Sequence, residues 1–150
     1  MNEHILVVDD DGAIRFAVSL VLQRAGYSVS QAVDGQEGLN MIHKANAAGD
    51  PYDLLVTDIR MPRMSGCRLI ELLRQAGMDL PVVVMTGVAD GVLSERLNQL
   101  GCGDPFEKPF DLKEMVNRIG KVLPDKGQTS HIVDRRKPLR GKSREVAAGL

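Results

Sequence analysis

Short apolar runs alternate with longer amphipathic stretches over most of this chain. The apolar runs have strand length, recur roughly every 25 residues, and are separated by stretches with helical spacing. The predicted strands are Ile5–Asp9, Ser28–Ala32, Leu54–Asp58, Val82–Thr86 and Asp104–Lys108. The predicted helices are Gly12–Ala25, Gln36–Ala47, Gly66–Gln75, Gly91–Leu100 and Leu112–Leu123. This alternation predicts an α/β domain with a five-stranded parallel sheet, doubly wound as (βα)5 and covered by helices on both faces.

Polar and glycine residues at the boundaries support these elements. Asp11, Ser65 and Asp111 directly precede helical patterns and are predicted to cap them. Gly26 and Gly77 follow helical patterns and are predicted to end them.

The last 26 or so residues differ from the rest, because apolar spacing weakens and basic residues accumulate. Residues 125–150 carry seven Lys and Arg against three acidic residues, a net charge of +4. A segment of this length is too short for a second folded domain without metal or disulfides. The sequence predicts one domain over residues 1–124 and a basic, flexible tail over 125–150. Weak nucleic-acid contact through the tail stays open beside a plainly solvated tail.

Bulk composition excludes several classes of function. The chain has 150 residues, 43% hydrophobic and 26% charged, with a net charge of −1. Such a charge gives no strong attraction to nucleic acid or anionic membrane. Its apolar runs are far shorter than the roughly 20 residues that a membrane helix needs. We find no signal-peptide pattern, so a cytoplasmic protein without a membrane partner is expected. No helix-turn-helix pattern is visible, so sequence-specific DNA recognition is not expected.

The cysteines and histidines do not form a metal motif. Cys67 and Cys102 lie far apart in the sequence, and the three histidines are scattered. Zinc sites use about four ligands at close spacing, so none is expected. Neutral thiols in a reducing compartment are the simpler interpretation.

Polar side chains stand at the carboxyl ends of the predicted strands. Asp9 and Asp10 follow the first strand, Asp58 ends the third, Thr86 ends the fourth and Lys108 ends the fifth. Parallel strands bring such residues to one sheet edge, where open α/β sheets bind ligands. Three crowded carboxylates repel one another unless a cation neutralises them. Their oxygen ligands favour Mg²⁺.

The same edge has the groups that a phosphoryl transfer needs. Lys108 and a bound cation hold an anionic phosphoryl group from two sides, and the hydroxyl of Thr86 donates to one of its oxygens. Asp58 is then the candidate nucleophile, since aspartyl phosphates are established intermediates. Each residue alone also fits a simpler role, as helix cap, turn residue, strand residue or solvated lysine. Their joint occurrence at strand ends favours the chemical interpretation.

Four stretches closely resemble the receiver domain of bacterial two-component response regulators, a flavodoxin-like fold. They are Ile5-Leu6-Val7-Val8-Asp9-Asp10-Asp11, Asp58-Ile59-Arg60-Met61-Pro62-Arg63-Met64-Ser65-Gly66, Val84-Met85-Thr86-Gly87 and Glu107-Lys108-Pro109-Phe110. The resemblance runs from about residue 3 to residue 123. It implies that Asp58 is the phosphoacceptor. It also implies that Asp10, Asp58 and the backbone carbonyl of Arg60 hold Mg²⁺, with Asp9 assisting through water.

The resemblance further implies a switch. Thr86 moves its hydroxyl toward the phosphoryl group, Lys108 forms an ion pair with that group, and the Lys108–Pro109 peptide is cis. The family usually has Tyr or Phe three residues before the lysine, a ring that turns inward when the hydroxyl moves. Here that position is Pro105, which has no such rotamer, and the ring of Phe106 is expected in the core. We therefore expect phosphorylation to be retained and its coupling to the surface of the fourth helix and fifth strand to be altered.

The resemblance implies a signalling domain and not an enzyme, apart from self-phosphorylation and autodephosphorylation. The implied partners are a sensor histidine kinase or phosphotransfer protein and an output protein that the sequence does not identify. An aspartate-nucleophile phosphatase fits poorly, because Asp9-Asp10-Asp11-Gly12-Ala13 lacks the Thr or Val of the D-x-D-x-[TV] motif. The sequence leaves open homodimer formation, and whether the chain stands alone or is a receiver fragment of a longer transcriptional or enzymatic regulator.

Overall fold

The computed structural model describes residues 3–123, which form one parallel sheet of five strands with five helices. The strands are β1 (His4–Val8), β2 (Ser28–Ala32), β3 (Leu54–Asp58), β4 (Val82–Thr86) and β5 (Phe106–Glu107). The helices are α1 (Gly12–Arg24), α2 (Gly35–Ala47), α3 (Gly66–Gln75), α4 (Gly91–Gln99) and α5 (Leu112–Val122). The strand order β2-β1-β3-β4-β5 confirms the predicted flavodoxin-like fold. The predicted tail, residues 125–150, lies outside the described residues.

The sheet separates two apolar cores, one on each face. In β1, Leu6 and Val8 face the core that holds the buried side chains of α2, α3 and α4, whereas Ile5 and Val7 face the core of α1 and α5. Strand side chains alternate between faces, so a strand covered on both sides must be apolar at successive positions. Each fully buried Leu or Ile contributes roughly 1.5–3 kcal/mol of transfer free energy. The central strands β1, β3 and β4 thereby hold the sheet edge that carries the polar residues.

Every helix in residues 3–123 begins at a side-chain cap. The predicted caps Asp11, Ser65 and Asp111 each accept a hydrogen bond from a backbone N–H of their helix. Asp34 and Asp90 do the same for α2 and α4. Such caps satisfy N–H groups that have no partner inside the helix.

The predicted helix ends at Gly26 and Gly77 are also confirmed. Both adopt the left-handed backbone, with φ of 102° and 79°, which a residue with a side chain rarely adopts. Gly26 lies two residues before β2, and Gly77 lies five residues before β4.

The main difference from the predicted elements is β5, which spans two residues and not the predicted 104–108. Pro105 lacks a backbone N–H, so the chain cannot extend the hydrogen-bonded ladder through that residue. The prediction that β1 runs from Ile5 to Asp9 is wrong by one residue at each end, because β1 begins at His4 and Asp9 lies just beyond it. Several helix ends differ from the predicted ones by one residue, because helix ends fray.

Candidate functional site

Asp9 and Asp10 follow β1 at the carboxyl edge of the sheet. The side chain of Asp9 is fully buried, and its Oδ1 accepts a 2.9 Å hydrogen bond from the N–H of Asp11. Asp10 is exposed. Since Asp11 is the residue that caps α1, neither Asp9 nor Asp10 is needed for that role. The guanidinium of Arg15 donates to the backbone carbonyl of Asp9 at 2.7 Å and fixes the chain at this point.

Asp58 ends β3 beside Asp9 and Asp10. Oδ1 of Asp58 accepts a 2.9 Å hydrogen bond from the N–H of Ile59, and Asp58 as a whole is only 7% exposed. The first residue of α3 packs directly behind it, because a β-carbon placed on Gly66 meets the carbonyl oxygen of Asp58 at 2.0 Å. The N–H of Gly66 donates to the carbonyl of Ile59 at 2.8 Å. Glycine is therefore required at position 66 for α3 to approach the site.

The three carboxylates form one cluster. An oxygen from each of Asp9, Asp10 and Asp58 lies within 4.8 Å of the others. Lys108 reaches this cluster from the segment after β5, with Nζ 3.1 Å from Oδ2 of Asp9 and 3.4 Å from Oδ2 of Asp58. The backbone N–H of Lys108 donates to the carbonyl of Thr86, and the Lys108–Pro109 peptide is cis, as expected. The fold thus brings together residues that lie up to 99 positions apart in the sequence.

Burial and crowding set the charge state of the cluster. Burial raises the pKa of Asp58, and the negative charge of Asp9 raises it further, although the nearby charge of Lys108 opposes both. Burial lowers the pKa of Lys108, but its hydrogen bond to Asp9 and the charges of Asp9 and Asp58 outweigh burial and leave the pKa raised. Lys108 is therefore protonated and positively charged at neutral pH. It does not fully compensate the carboxylates, so the cluster favours an additional cation.

Thr86 ends β4, and its buried hydroxyl contacts the following loop. Its Oγ1 donates to the carbonyl of Val88 at 2.9 Å and accepts from the N–H of Val88 at 3.2 Å. In the sheet register, Asp58 pairs with Met85 of the neighbouring strand, so Thr86 lies one residue further toward the carboxyl edge than Asp58. The structure thus places Thr86 at the predicted edge, with its hydroxyl bonded to the β4–α4 loop.

Phe106 lies in the core of α1 and α5, as predicted for the residue after Pro105. Its ring centroid is 5.5 Å from that of Phe110, and the guanidinium carbon of Arg118 lies 4.0 Å from the Phe106 ring centroid. Arg118 also donates to the carbonyl of Asp104. The ring of Phe106 is therefore packed from several sides.

The sequence predictions missed one contact near the site. In the β3–α3 loop, the guanidinium of Arg63 contacts the carboxylate of Asp34, with Nη2 2.7 Å from Oδ2. Asp34 precedes Gly35 and lies three residues before Glu37, whose Oε1 accepts from the N–H of Val33. This capping-box spacing could have identified Asp34 as a cap. No sequence signal indicated its pairing with Arg63.

The family model described as the response regulator receiver domain matches residues 5–120. The chain belongs to this family. It is 43% identical over 125 residues to "Response regulator MprA" of Mycobacterium bovis (strain BCG / Pasteur 1173P2), covering 82% of this chain and 51% of that protein. It is 44% identical over 121 residues to the protein of the same name from Mycobacterium avium (strain 104), covering 79% and 50%. The chain thus spans about half the length of these relatives.

Solved receiver domains have the same architecture. The chemotaxis protein CheY4 of Vibrio cholerae superposes with a TM-score of 0.73 at 29% identity, covering 82% of this chain and all of that one. The receiver domain of Francisella response regulator 1452 gives a TM-score of 0.73 at 27% identity, covering 81% and 96%. These likenesses agree with the strand order and with the predicted family resemblance.

Receiver domains bind Mg²⁺ at an acidic pocket, and the carboxylate cluster fits that ion. The cluster supplies only hard oxygen donors, of which two side chains are buried and the third, Asp10, is exposed to solvent. Mg²⁺ takes few protein ligands and keeps several waters, so a half-open set of carboxylates suits it. Arg60 lies two residues after Asp58 in the β3–α3 loop, where its carbonyl is the expected additional ligand.

Two further findings bear on the expectations from composition. None of the helices within residues 3–123 is long and apolar enough to cross a membrane. Cys67 and Cys102 are free thiols, and burial raises the pKa of both, which keeps them neutral near pH 7.

Proposed function

We propose that this receiver domain accepts a phosphoryl group on Asp58 and uses it to change a partner-binding surface. The observation that supports this proposal most strongly is the position of Lys108. Its ammonium lies within 3.4 Å of carboxylate oxygens of both Asp9 and Asp58. A cation held there by two buried carboxylates is positioned to receive the new charge of a phosphorylated Asp58. The phosphoryl donor is a sensor histidine kinase or a phosphotransfer protein.

In the transfer, one carboxylate oxygen of Asp58 forms a bond to phosphorus. The bond between phosphorus and the imidazole nitrogen of the donor histidine breaks, and the leaving imidazole keeps the electron pair. The N–H of Ile59 holds Oδ1 of Asp58, which orients the carboxylate for attack. Asp9, Asp10, Asp58 and the carbonyl of Arg60 are the residues that would hold Mg²⁺. When bound, that ion would supply positive charge that offsets the negative charge of the phosphoryl oxygens.

Thr86 links the phosphoryl group to the β4–α4 loop. A hydroxyl has a single proton to donate, and Thr86 donates it to the carbonyl of Val88. To donate to a phosphoryl oxygen instead, Thr86 must release the carbonyl of Val88, which loosens the loop that precedes α4. Val88 and Val92 are exposed apolar residues in this region, 50% and 81% accessible, so the released loop changes an apolar surface.

The response of β5 is expected to differ from that of relatives with an aromatic residue at position 105. Pro105 has no ring to turn inward, and the ring of Phe106 is held by the core, Phe110 and Arg118. We therefore assign the conformational change to the β4–α4 loop. NMR spectra with and without a beryllofluoride mimic of the phosphoryl group test this point. Large shifts around Phe106, of the kind expected for an aromatic inward rotation, contradict it.

The proposed role is that of a signalling domain with no other substrate than its phosphoryl donors. The two free thiols agree with the reducing conditions of the cytoplasm, where the domain is proposed to act.

Intact-mass measurement after incubation with acetyl phosphate tests the function. We expect the wild type to gain one phosphoryl group only when Mg²⁺ is present, and Asp58→Asn to gain none. Asp79→Asn is the matched control, because Asp79 is exposed and precedes β4 at the opposite edge of the sheet. A phosphoryl group that persists in Asp58→Asn refutes the assignment of the acceptor.

A further inference from the structure

The β3–α3 loop, residues 59–65, is tied to the start of α2 by an ion pair. Nε of Arg63 donates to Oδ2 of Asp34 at 2.8 Å, and Nη2 of Arg63 lies 2.7 Å from the same oxygen. The other oxygen of Asp34 accepts from the N–H of Glu37 at 2.8 Å. The side chain of Asp34 is only 7% exposed, so its orientation is set by both contacts. One carboxylate therefore caps α2 and holds Arg63 at the same time.

The backbone of Arg63 adopts an unusual conformation to make this contact. Its φ is 68°, and it is the single residue other than glycine with positive φ among residues 3–123. L residues rarely adopt the left-handed region, whereas glycine adopts it freely. If only the turn mattered, glycine would suit position 63 better than arginine. The arginine side chain therefore has a role that the turn alone does not explain.

The next residue of the loop also contacts α2. A β-carbon placed on Gly35 lies 2.7 Å from the carbonyl oxygen of Met64 and 3.0 Å from its Cβ. The N–H of Met64 donates to the carbonyl of Pro62 at 2.7 Å, which makes a tight turn. Two successive loop residues thus lie against the first turn of α2.

The fixed part of the loop is next to the proposed ligand Arg60. At one end of the loop, two hydrogen bonds hold Ile59. Its N–H donates to the carboxylate of Asp58, and its carbonyl accepts from the N–H of Gly66. At the other end, Arg63 is held by Asp34. Arg60 lies between these two anchors, only three residues before Arg63.

We infer that Asp34 and Arg63 are positioning residues for the Mg²⁺ site, which hold the β3–α3 loop in its binding conformation before the ion arrives. The inference rests on the proposed function, because it assumes that the carboxylate cluster binds Mg²⁺. Outer groups that orient metal ligands act in this way without touching the ion.

The sign of one effect separates this role from plain electrostatics. Arg63 is a positive charge near a cation site. If electrostatic repulsion were its only effect, removing Arg63 would strengthen Mg²⁺ binding. The positioning role predicts the opposite, because the freed loop must be ordered when the ion binds. Arg63→Gly isolates the effect, since glycine adopts φ of 68° without strain. This relief offsets the loss of the ion pair with Asp34, so the variant is expected to fold about as stably as the wild type.

The test is an NMR titration of the chain with MgCl₂ in the absence of any phosphoryl donor. We expect Arg63→Gly to bind Mg²⁺ about tenfold more weakly, in the range found for outer groups of metal sites. In the metal-free protein, the amides of Arg60, Met61 and Met64 and of residue 63 are expected to exchange faster, while the thermal midpoint changes little. Asp34→Asn, which keeps an oxygen to cap α2, is expected to weaken binding similarly, and the double variant no more than either single one.

The outcomes distinguish the inference from the function that underlies it. Arg63→Gly that binds Mg²⁺ as tightly as the wild type, or more tightly, overturns the positioning role and leaves the proposed function intact. A wild type without measurable Mg²⁺ binding overturns both. Phosphorylation rates supply a second readout, because the positioning role raises the Mg²⁺ concentration needed for half-maximal rate and leaves the rate at saturating Mg²⁺ nearly unchanged.

Discussion

Gly66 approaches the carbonyl oxygen of Asp58 so closely that a β-carbon on it would lie 2.0 Å from that oxygen. This contact joins the first residue of α3 to the last residue of β3. Both partners are backbone at the point of contact, so neither can rotate away. The position of the carboxylate of Asp58 thus depends on a residue that has no side chain.

Gly66→Ala is expected to destabilise the domain by about 3 kcal/mol, because overpacking against backbone forces a shift of the chain. Phosphoryl uptake is expected to slow, since the shift displaces Asp58. Gly120→Ala is the matched control, because nothing lies within 4 Å of its β-carbon and it is inside α5. That change is expected to stabilise the helix by roughly 0.5–1 kcal/mol. Urea unfolding of the two variants checks both values, and equal stabilities contradict the close contact.

Asp58→Asn is expected to stabilise the metal-free domain. The pKa of Asp58 is raised by burial and by Asp9, so the folded chain binds the proton more tightly than the unfolded chain, and the ionised side chain opposes folding. The advantage of the variant is therefore largest at neutral pH. It disappears as the pH falls through the raised pKa to below the ordinary value of 3.8.

Urea unfolding in EDTA over this pH range measures the effect. Added Mg²⁺ is expected to shift the balance toward the wild type, because binding stabilises the wild type by about 1.4 kcal/mol at tenfold the dissociation constant. A variant that is less stable than the wild type in EDTA at neutral pH contradicts the electrostatic description of the cluster.

Thr86→Val is expected to lower stability by about 1–2 kcal/mol, because it leaves the N–H and carbonyl of Val88 without their partner. The amides of residues 87–90 are expected to exchange faster in the unphosphorylated protein. Thr86→Ser keeps the hydroxyl and is expected to retain most of the protection. Both variants should still take up the phosphoryl group, and only the loop response to it is expected to be lost in Thr86→Val. Protection of this loop that is unaffected by the valine contradicts the proposed link.

Arg118→Met is expected to destabilise the domain by about 1 kcal/mol through loss of its stacking on Phe106 and its hydrogen bond to Asp104. Lys121→Met removes the same charge from an exposed position in the last turn of α5 and is expected to change stability by less. Thermal unfolding compares the two. Intact mass is expected to show undiminished phosphorylation in both, because neither side chain belongs to the proposed phosphorylation site, which is separate from the packing around Phe106. Loss of phosphoryl uptake in Arg118→Met alone would contradict that separation.

The central strands could be predicted from the sequence almost without error. Leu54–Asp58 and Val82–Thr86 are continuous apolar runs that end at a polar residue, and the structure begins and ends β3 and β4 at the same residues. Edge strand β5 was predicted too long, because the apolar pattern does not register the missing N–H of Pro105.

In the candidate site too, some features could be predicted from the sequence and others could not. Asp9, Asp10, Asp58, Thr86 and Lys108 were predictable because parallel strands bring their carboxyl ends to one edge. The contacts made by residues in the loops around the site could not be predicted in this way. The hydrogen bonds of Thr86 to Val88 and the ion pair of Arg63 with Asp34 depend on loop conformations, including a positive φ at an arginine, that no local residue preference indicates.

Mapping of the phosphorylated residue tests the proposed acceptor most directly. The chain is treated with acetyl phosphate and Mg²⁺, the acyl phosphate is reduced with borohydride, which converts the modified aspartate to homoserine, and the peptides are sequenced by mass spectrometry. We expect homoserine at position 58 and nowhere else. Homoserine at position 9 or 10 with Asp58 unchanged, or a phosphoryl group on any other residue, would contradict it.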